Sequence, residues 1–322
     1  MNLINDIYYN DEYISLYLKK DEELFSFKYE EEENIFINKT IKRPIRKIGN
    51  IEIDDGFYDL ETAYGYGGFY TNSQDQEFIA RAMNAYKTKC NEEKIIAEFI
   101  RFHPFNNFPI KCNNFLDFNV YDRDVVVKKL SDDIFKTYNA KVRNTVKRAT
   151  EKVLFQESEN IAKFMELYNA TMLKNNASNF YFFEESYYKN LLKNKSVKLY
   201  ELLYEEEIIA MGFFMFGKSI GHYHLSANTP TSYKINANYA LLHNVFQIAQ
   251  DLRLEYFMLG GGTTSEADDS LLKFKKKFSK DLKPFYISGN VYNKEIYDKY
   301  NEIWKRQSKE DITYFLKYRL EI

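Results

Sequence analysis

Alternating apolar and polar positions run through residues 12–18 (EYISLYL), 23–29 (ELFSFKY) and 34–41 (NIFINKTI). This period of two predicts three short strands at the start of the chain. The acidic run Glu30–Glu33 between the second and third reads as a solvated hairpin turn. From Ser73 the period changes. Phe78, Ala82, Ala85 and Tyr86 fall on one face of a helix over 73–93, with Ser73 as its N-cap. KIIAEFIRF (94–102) is a strongly apolar strand that ends at His103-Pro104, because proline has no N–H for the ladder. The stretch 114–130 predicts one or two further strands.

Ser131 is placed to cap a long helix, with Asp132 and Asp133 in its first turn, where carboxylates suit the dipole. Ile134, Tyr138, Val142, Val146 and Ala149 form its apolar stripe. A strand (152–158), helices (160–175 and 184–194) and three strands (197–204, 207–217, 219–226) follow. Helix 236–252 precedes strand 255–259, which breaks at Gly260-Gly261-Gly262. A basic segment (271–283), a strand (284–291) and two helices close the chain. The order of strands, helix and strands occurs twice with no low-complexity linker. That predicts a mixed α/β (α+β, mixed-sheet) protein of two similar domains, residues 1–152 and 153–322.

Composition narrows the class. A length of 322 residues suits two domains, and 45% hydrophobic content is ordinary for a globular chain. The formal charge of −2 argues against a surface that binds nucleic acid everywhere, and DNA is not expected as a partner. Cys90 and Cys112 have no ligand-like spacing, so neither a disulfide framework nor a metal site is expected. MNLINDIYYNDEY lacks the pattern of a signal peptide. The longest apolar run, Ile208–Phe216, is too short to span a bilayer and reads as a buried strand. A cytoplasmic location is expected.

Five stretches are candidates for chemistry. In ETAYGYGGFY (61–70), glycines allow close backbone approach while Tyr64 and Tyr66 offer ring faces and hydroxyls; Gly67 and Gly68 belong to the same turn. In RFHP, Arg101 and His103 alternate with Phe102, and a histidine at a strand end suits a general base. In GHYHLSAN, strict alternation puts His222, His224 and Ser226 on one strand face and Tyr223 and Leu225 on the other. Gly260, Gly261 and Gly262 end a strand just before Lys273 and Lys275, an arrangement suited to phosphate. On the helix after Ser131, Lys136, Arg143 and Lys147 form one stripe and Lys141, Arg148 and Lys152 another. Arg143 and Arg148 suit a diphosphate or an RNA backbone.

ETAYGYGGFY, IIAEFIRFHPF, KVRNTVKRA, FYFF, YHLSA, ANYALL and FMLGGG with SLLKFKKKFS occur in one order over roughly 50–290. Together they resemble the FemAB-like branch of the GNAT acyltransferase superfamily. The resemblance implies two tandem GNAT-like domains and acyl transfer onto an amine. The acceptor would be a cell-wall or surface-polysaccharide precursor, carried on a lipid or a nucleotide. The donor would be aminoacyl-tRNA, which makes tRNA a partner, or acetyl-CoA, with no permanently bound cofactor. Within these motifs His103, His224 and Ser226 become candidates for catalysis. Tyr64, Tyr66, Gly67, Gly68, Arg101, Arg143, Arg148 and Asn238 become candidates for substrate binding. Gly260–Gly262, Lys273 and Lys275 would take donor phosphate. An acetyl-CoA-dependent N-acetyltransferase of a nucleotide-linked amino sugar and a non-catalytic binding protein are the rival readings. The chain has no Gln/Arg-x-x-Gly-x-Gly/Ala loop of the kind that holds coenzyme A in GNAT enzymes, and no heptad arm. Phe278-Ser279 stands where the family usually has Phe-Gly, and Ala63 where several members have proline.

Overall fold

The computed structural model describes residues 2–131, 133–175, 181–266, 268–308 and 312–322. Asp132, expected in a helical first turn, Phe180 of the FYFF motif and Ala267 lie outside the described residues. The chain runs through Asp11–Ser15 (α1), Glu23–Glu31 (β1), Asn34–Pro44 (β2), Lys47–Ile48 (β3), Ile51–Glu52 (β4), Tyr58–Glu61 (β5) and Tyr70–Thr71 (β6). Then come Gln76–Glu92 (α2), Ile95–Arg101 (β7), Phe108–Lys111 (α3), Phe118–Lys129 (β8), Ile134–Thr137 (α4) and Ala140–Thr150 (α5). Leu154–Ser158 (β9), Ile161–Lys174 (α6), Glu185–Lys193 (α7), Val197–Tyr204 (β10), Glu207–Phe216 (β11) and Ile220–Asn228 (β12) follow. The last elements are Pro230–Ile235 (α8), Ala237–Asp251 (α9), Tyr256–Gly260 (β13), Ser270–Lys275 (α10), Leu282–Val291 (β14) and Lys294–Gln307 (α11).

Two compact units emerge. The first comprises residues 2–4, 8–123 and 284–322; the second comprises 5–7 and 124–283. The expected seam at 152/153 is therefore not where the chain divides. One boundary falls inside β8 and the other inside β14. The reason is that β14 pairs with β7 (Ile287 opposite Arg101), while α4 and α5 pack their stripe into the core of the second unit. Element order along the chain does not reveal that the C-terminal strand returns to the first unit.

The first unit's sheet runs β1-β2-β5-β7-β14, with β5 and β7 parallel and the other neighbours antiparallel. The pleat of β7 sends Glu98, Ile100 and Phe102 toward α2 and Phe99 toward α11, so its near-continuous apolar run is buried on both faces. The second unit's sheet runs β8-β13-β12-β11-β10-β9. Phe213 meets Phe164 and Tyr188 of α6 and α7, whereas Phe214 joins the core formed with α5 and α9. The expected buried strand 208–216 is explained by these two layers. Each unit thus has an antiparallel meander, a crossover helix (α2 or α9) and a returning strand parallel to the meander's last one (β5/β7, β12/β13). The doubled element order read from the sequence is this repeated arrangement: a mixed α/β fold of two similar units.

Several local expectations change. Residues 12–18 are not a strand. Asn10 accepts from the Glu12 amide at 2.7 Å and starts α1, with Asp11 and Glu12 in its first turn. Asp75, not Ser73, caps α2. The helix expected after Ser131 breaks at Tyr138, which is extended (φ −78°, ψ 149°). Asp133 caps α4 and Asn139 caps α5. A single long helix, α11, stands where two were expected, followed by a 3-10 turn at Lys317–Arg319.

Candidate functional site

In the first unit the turn 64–68 lies between β5 and α2. Gly65 (φ +96°) lets the ring of Tyr8 pack where a Cβ would come within 2.3 Å of it. Gly67 donates its N–H to Arg101 O (2.8 Å), and its carbonyl accepts from His103 N (3.0 Å) and Tyr9 Oη (2.8 Å). Tyr13 Oη donates to Tyr64 O at 2.9 Å, and Tyr17 stacks on the Tyr64 ring. The backbone of Gly67 is therefore committed to the protein itself and not available to a ligand. His103 is fully buried; its Nδ1 accepts from Phe105 N at 3.2 Å, and Tyr66 and Tyr8 lie against its ring. Burial raises the Tyr66 phenol well above its ordinary value. Arg101 donates to Thr62 O (2.6 Å) and pairs with Glu61, which also binds Arg43, so its guanidinium serves a local ion network. Tyr64, Tyr66, Gly67, Gly68, Arg101 and His103 come together, as a packed turn.

In the second unit β12 and β13 pair in parallel only over Ile220–His222 and Tyr256–Met258, after which β12 continues to Asn228 paired with β11 but not with β13. A β-bulge interrupts its other edge: Phe214 is opposite Tyr223 and Phe213 opposite Leu225, leaving His224 as the extra residue. The bulge corrects the expected alternation. His222 and Leu225 lie on the face of Phe213 and Met215, while Tyr223 stacks on Phe214 (5.1 Å) and Ser226, opposite Gly212, joins its face. Ser226 therefore leaves the histidine face and hydrogen-bonds with the Tyr223 phenol. On the histidine face, Tyr187 Oη and His224 Nε2 are 2.7 Å apart, and Asp6 Oδ2 and His222 Nε2 are 2.9 Å apart. Burial, with the neighbouring His222 second, pushes the His224 imidazole down to about 3, so its ring is neutral.

At the N-terminus of α9 lies a pocket of about 210 Å³ lined by Thr145, Arg148, Lys152, Lys234, Ile235 and Asn236. Asn236 adopts a left-handed conformation (φ 59°) at the junction of α8 and α9. Two turns of α5 bring Thr145, Arg148 and, just beyond it, Lys152 to one side; α8 brings Lys234 to the other. Among the described residues, none of the three cations has an ion-pair partner. Together with the positive end of a 15-residue helix, they make the pocket suited to an anion. Arg148, a candidate for substrate binding, lines this pocket, and Asn238, in the first turn of α9, has a buried Oδ1 with no hydrogen-bond partner among the described residues. Lys234 was not anticipated; its only sequence signal is a lysine between a strand end and the Asn-Ala-Asn that opens a helix. Tyr187 was missed because its partner lies 37 residues away. Arg143 turns back to donate to Tyr138 O.

The glycine turn after β13 has a different occupant. The Asp269 carboxylate accepts from Thr263 N (3.1 Å), Thr263 Oγ1, Thr264 N (3.3 Å) and Leu272 N (2.8 Å). Burial opposes its charge, but these donors hold the carboxyl at about 2. Lys275 is buried and donates to Gly261 O at 2.7 Å. A Cβ on Gly262 would meet Asp269 at 2.5 Å. Of the expected phosphate set Gly260, Gly261, Gly262, Lys273 and Lys275, only Lys273 is exposed, and it pairs with Asp268 at 3.8 Å.

Residues 136–276 match the acetyltransferase (GNAT) domain family. No curated protein matches the sequence. Among solved structures, the fold is similar to that of FemX at 11% identity and a TM-score of 0.70, over 92% of this chain and 94% of that one. It is also similar to L-PGS from Bacillus licheniformis (14% identity, TM-score 0.53, 85% of each chain). The C-terminal domain of a putative lysylphosphatidylglycerol synthetase from Agrobacterium fabrum matches at 13% identity and a TM-score of 0.50, over 85% of each chain. The parallel β12/β13 pair with its crossover helix, the domain match and the FemX likeness agree: the chain has the GNAT acyltransferase fold in its FemAB-like, two-unit form.

Proposed function

We propose that the protein transfers an acyl or aminoacyl group to an amine on a cell-wall or surface-polysaccharide precursor. The observation that carries this reading is the cationic pocket at the start of α9, in a unit whose strands β12 and β13 part after His222. Arg148, Lys152 and Lys234 would hold the phosphate of a carrier, leaving its reactive end to reach along the open edge of β12. In the transfer the amine nitrogen attacks the acyl carbonyl. A C–N bond forms, the ester or thioester bond breaks, and the amine loses a proton. That proton passes to the departing hydroxyl or thiol of the carrier; an imidazole held down to about 3 is too weak a base to keep it, so on this reading His224, hydrogen-bonded to Tyr187, positions the reactants. The likeness to FemX and L-PGS supports an aminoacyl donor; the acetyltransferase domain match keeps acetyl-CoA as the rival. A cytoplasmic site of action belongs to the same proposal.

Thermal unfolding with acetyl-CoA, uncharged tRNA and UDP-linked amino sugars tests it. A ligand at about 100 times its Kd stabilises by roughly 2.7 kcal/mol. A rise with tRNA or a UDP-amino sugar that is lost in Arg148→Ala/Lys234→Ala supports the reading. A rise with acetyl-CoA alone supports the rival. No shift with any carrier argues against catalysis on such substrates.

A further inference from the structure

Three segments of the second unit meet around the α9 pocket. Residues 141–156, 171–175 and 229–238 carry seven cationic side chains and a single carboxylate, Glu151. Contacts tie them into one surface. Arg148 and Lys152 share the pocket with Lys234, and Lys174 Nζ lies 5.8 Å from the ring centre of Tyr233. Large apolar side chains stand out of the same surface: Leu154 is 59% exposed, Leu173 68% and Tyr233 57%. Each is next to, or two positions from, one of the cations.

Solvated cations alone would be unremarkable. Leucines that project beside them carry a cost in water and point to a partner that accepts both. We propose that this surface docks on an anionic lipid bilayer, with the cations at phosphate level and Leu154, Leu173 and Tyr233 dipping into the interfacial region. A nucleic acid would use the cations and could stack on Tyr233, but aliphatic side chains give it nothing comparable to a ring face. A leucine in the bilayer interface, by contrast, gains from burial. No helix among the described residues is long and apolar enough to cross a membrane, so the attachment is peripheral. The proposal goes beyond the acyl-transfer reading and does not depend on it.

The test is co-sedimentation of the full chain with vesicles of phosphatidylcholine and with vesicles of equal parts phosphatidylcholine and phosphatidylglycerol. Binding to the mixed vesicles and little to the neutral ones is expected. Leu154→Glu/Leu173→Glu should weaken that binding about tenfold or more, and Lys152→Glu/Lys234→Glu by a similar or larger factor, since each cation near an anionic surface contributes substantially. Both leucines are more than half exposed, so circular dichroism should be unchanged. Absence of binding to mixed vesicles overturns the proposal, as does equal binding by the leucine variant. Equal binding to the neutral vesicles also overturns it, because the cations would then contribute nothing. Vesicle binding is read without any acyl donor, so its failure leaves the transfer reaction to its own test.

Discussion

His224 Nε2 and Tyr187 Oη stand 2.7 Å apart across two elements, β12 and α7, that are 37 residues apart in the chain. Because burial and the nearby His222 hold the imidazole down to about 3, the ring should stay neutral across the physiological range. Long-range nitrogen–proton NMR of labelled histidine is expected to show a neutral tautomer for His224 at pH 5. A doubly protonated ring at that pH would show that burial does not hold the imidazole down.

Lys128 is buried, and among the described residues no carboxylate forms an ion pair with it. Its Nζ donates to Thr137 Oγ1 (2.8 Å) and Phe278 O (3.2 Å) and lies 4.9 Å from the Tyr138 ring centre. Burial pushes the ammonium down to about 8, against the pull of Asp281. The folded state therefore binds fewer protons than the unfolded chain between pH 8 and about 10.4. Stability from this group rises as pH climbs through that window, by up to about 3 kcal/mol. Lys128→Met should be more stable than the native chain near pH 7, and the advantage should shrink toward pH 10. Equal urea midpoints at both pH values would contradict this.

Glu98 gives the opposite slope in the first unit. It is fully buried, accepts from Asn38 Nδ2 (2.6 Å), Tyr86 Oη (2.9 Å) and Tyr292 Oη (2.7 Å), and burial raises its carboxyl to about 7 despite those donors. Here the folded state binds more protons between about pH 4.3 and 7, so its contribution is complete below that window and is lost as pH rises through 7. The difference in unfolding free energy between the native chain and Glu98→Gln should change by about 2–3 kcal/mol from pH 5 to 8, in favour of the glutamine at high pH. A pH-independent difference would show that Glu98 titrates normally.

The glycines of the turn 64–68 should separate by conformation. Gly65 and Gly68 have φ of +96° and +86°, and a Cβ on either would meet an aromatic ring at 2.3 or 2.6 Å. Gly67 does not need a left-handed backbone, and its Cβ would meet only Thr62 Cγ2, at 2.9 Å. Alanine at 65 or 68 is expected to cost about 2–4 kcal/mol and at 67 about 1 kcal/mol. Denaturant midpoints that rank Gly67→Ala as the worst would mean that the turn is built otherwise.

The stripe Ile134, Tyr138, Val142, Val146 and Ala149 was legible because periodicity alone dictates a helical face, and all five are buried together. The break at Tyr138 was not, since the apolar stripe runs through it unchanged while Asn139 turns the chain by accepting from the Val142 amide. Alternation along β12 predicted the shared face of His222 and His224 but failed at Ser226, because a bulge adds a residue without any mark in composition. The glycine motifs were visible as turns. What fills them was not: Tyr8 and Tyr9 come from far upstream of the first, and Asp269 supplies the anion that the second was expected to bind. Half of the cationic pocket was readable on α5; Lys234 became part of it only through the placement of α8.

The interrupted first unit has a consequence for synthesis. Strand β7 needs β14, which emerges from the ribosome nearly two hundred residues after it, whereas residues 124–283 are available as one uninterrupted stretch. The later segment can thus complete its core while the earlier one still waits with an unpaired, strongly apolar edge. Nascent chains halted after residue 283 should hold a protease-resistant middle and a cleavable beginning. That reverses the usual N-to-C order of maturation and makes the period before β14 appears the one in which a chaperone matters most.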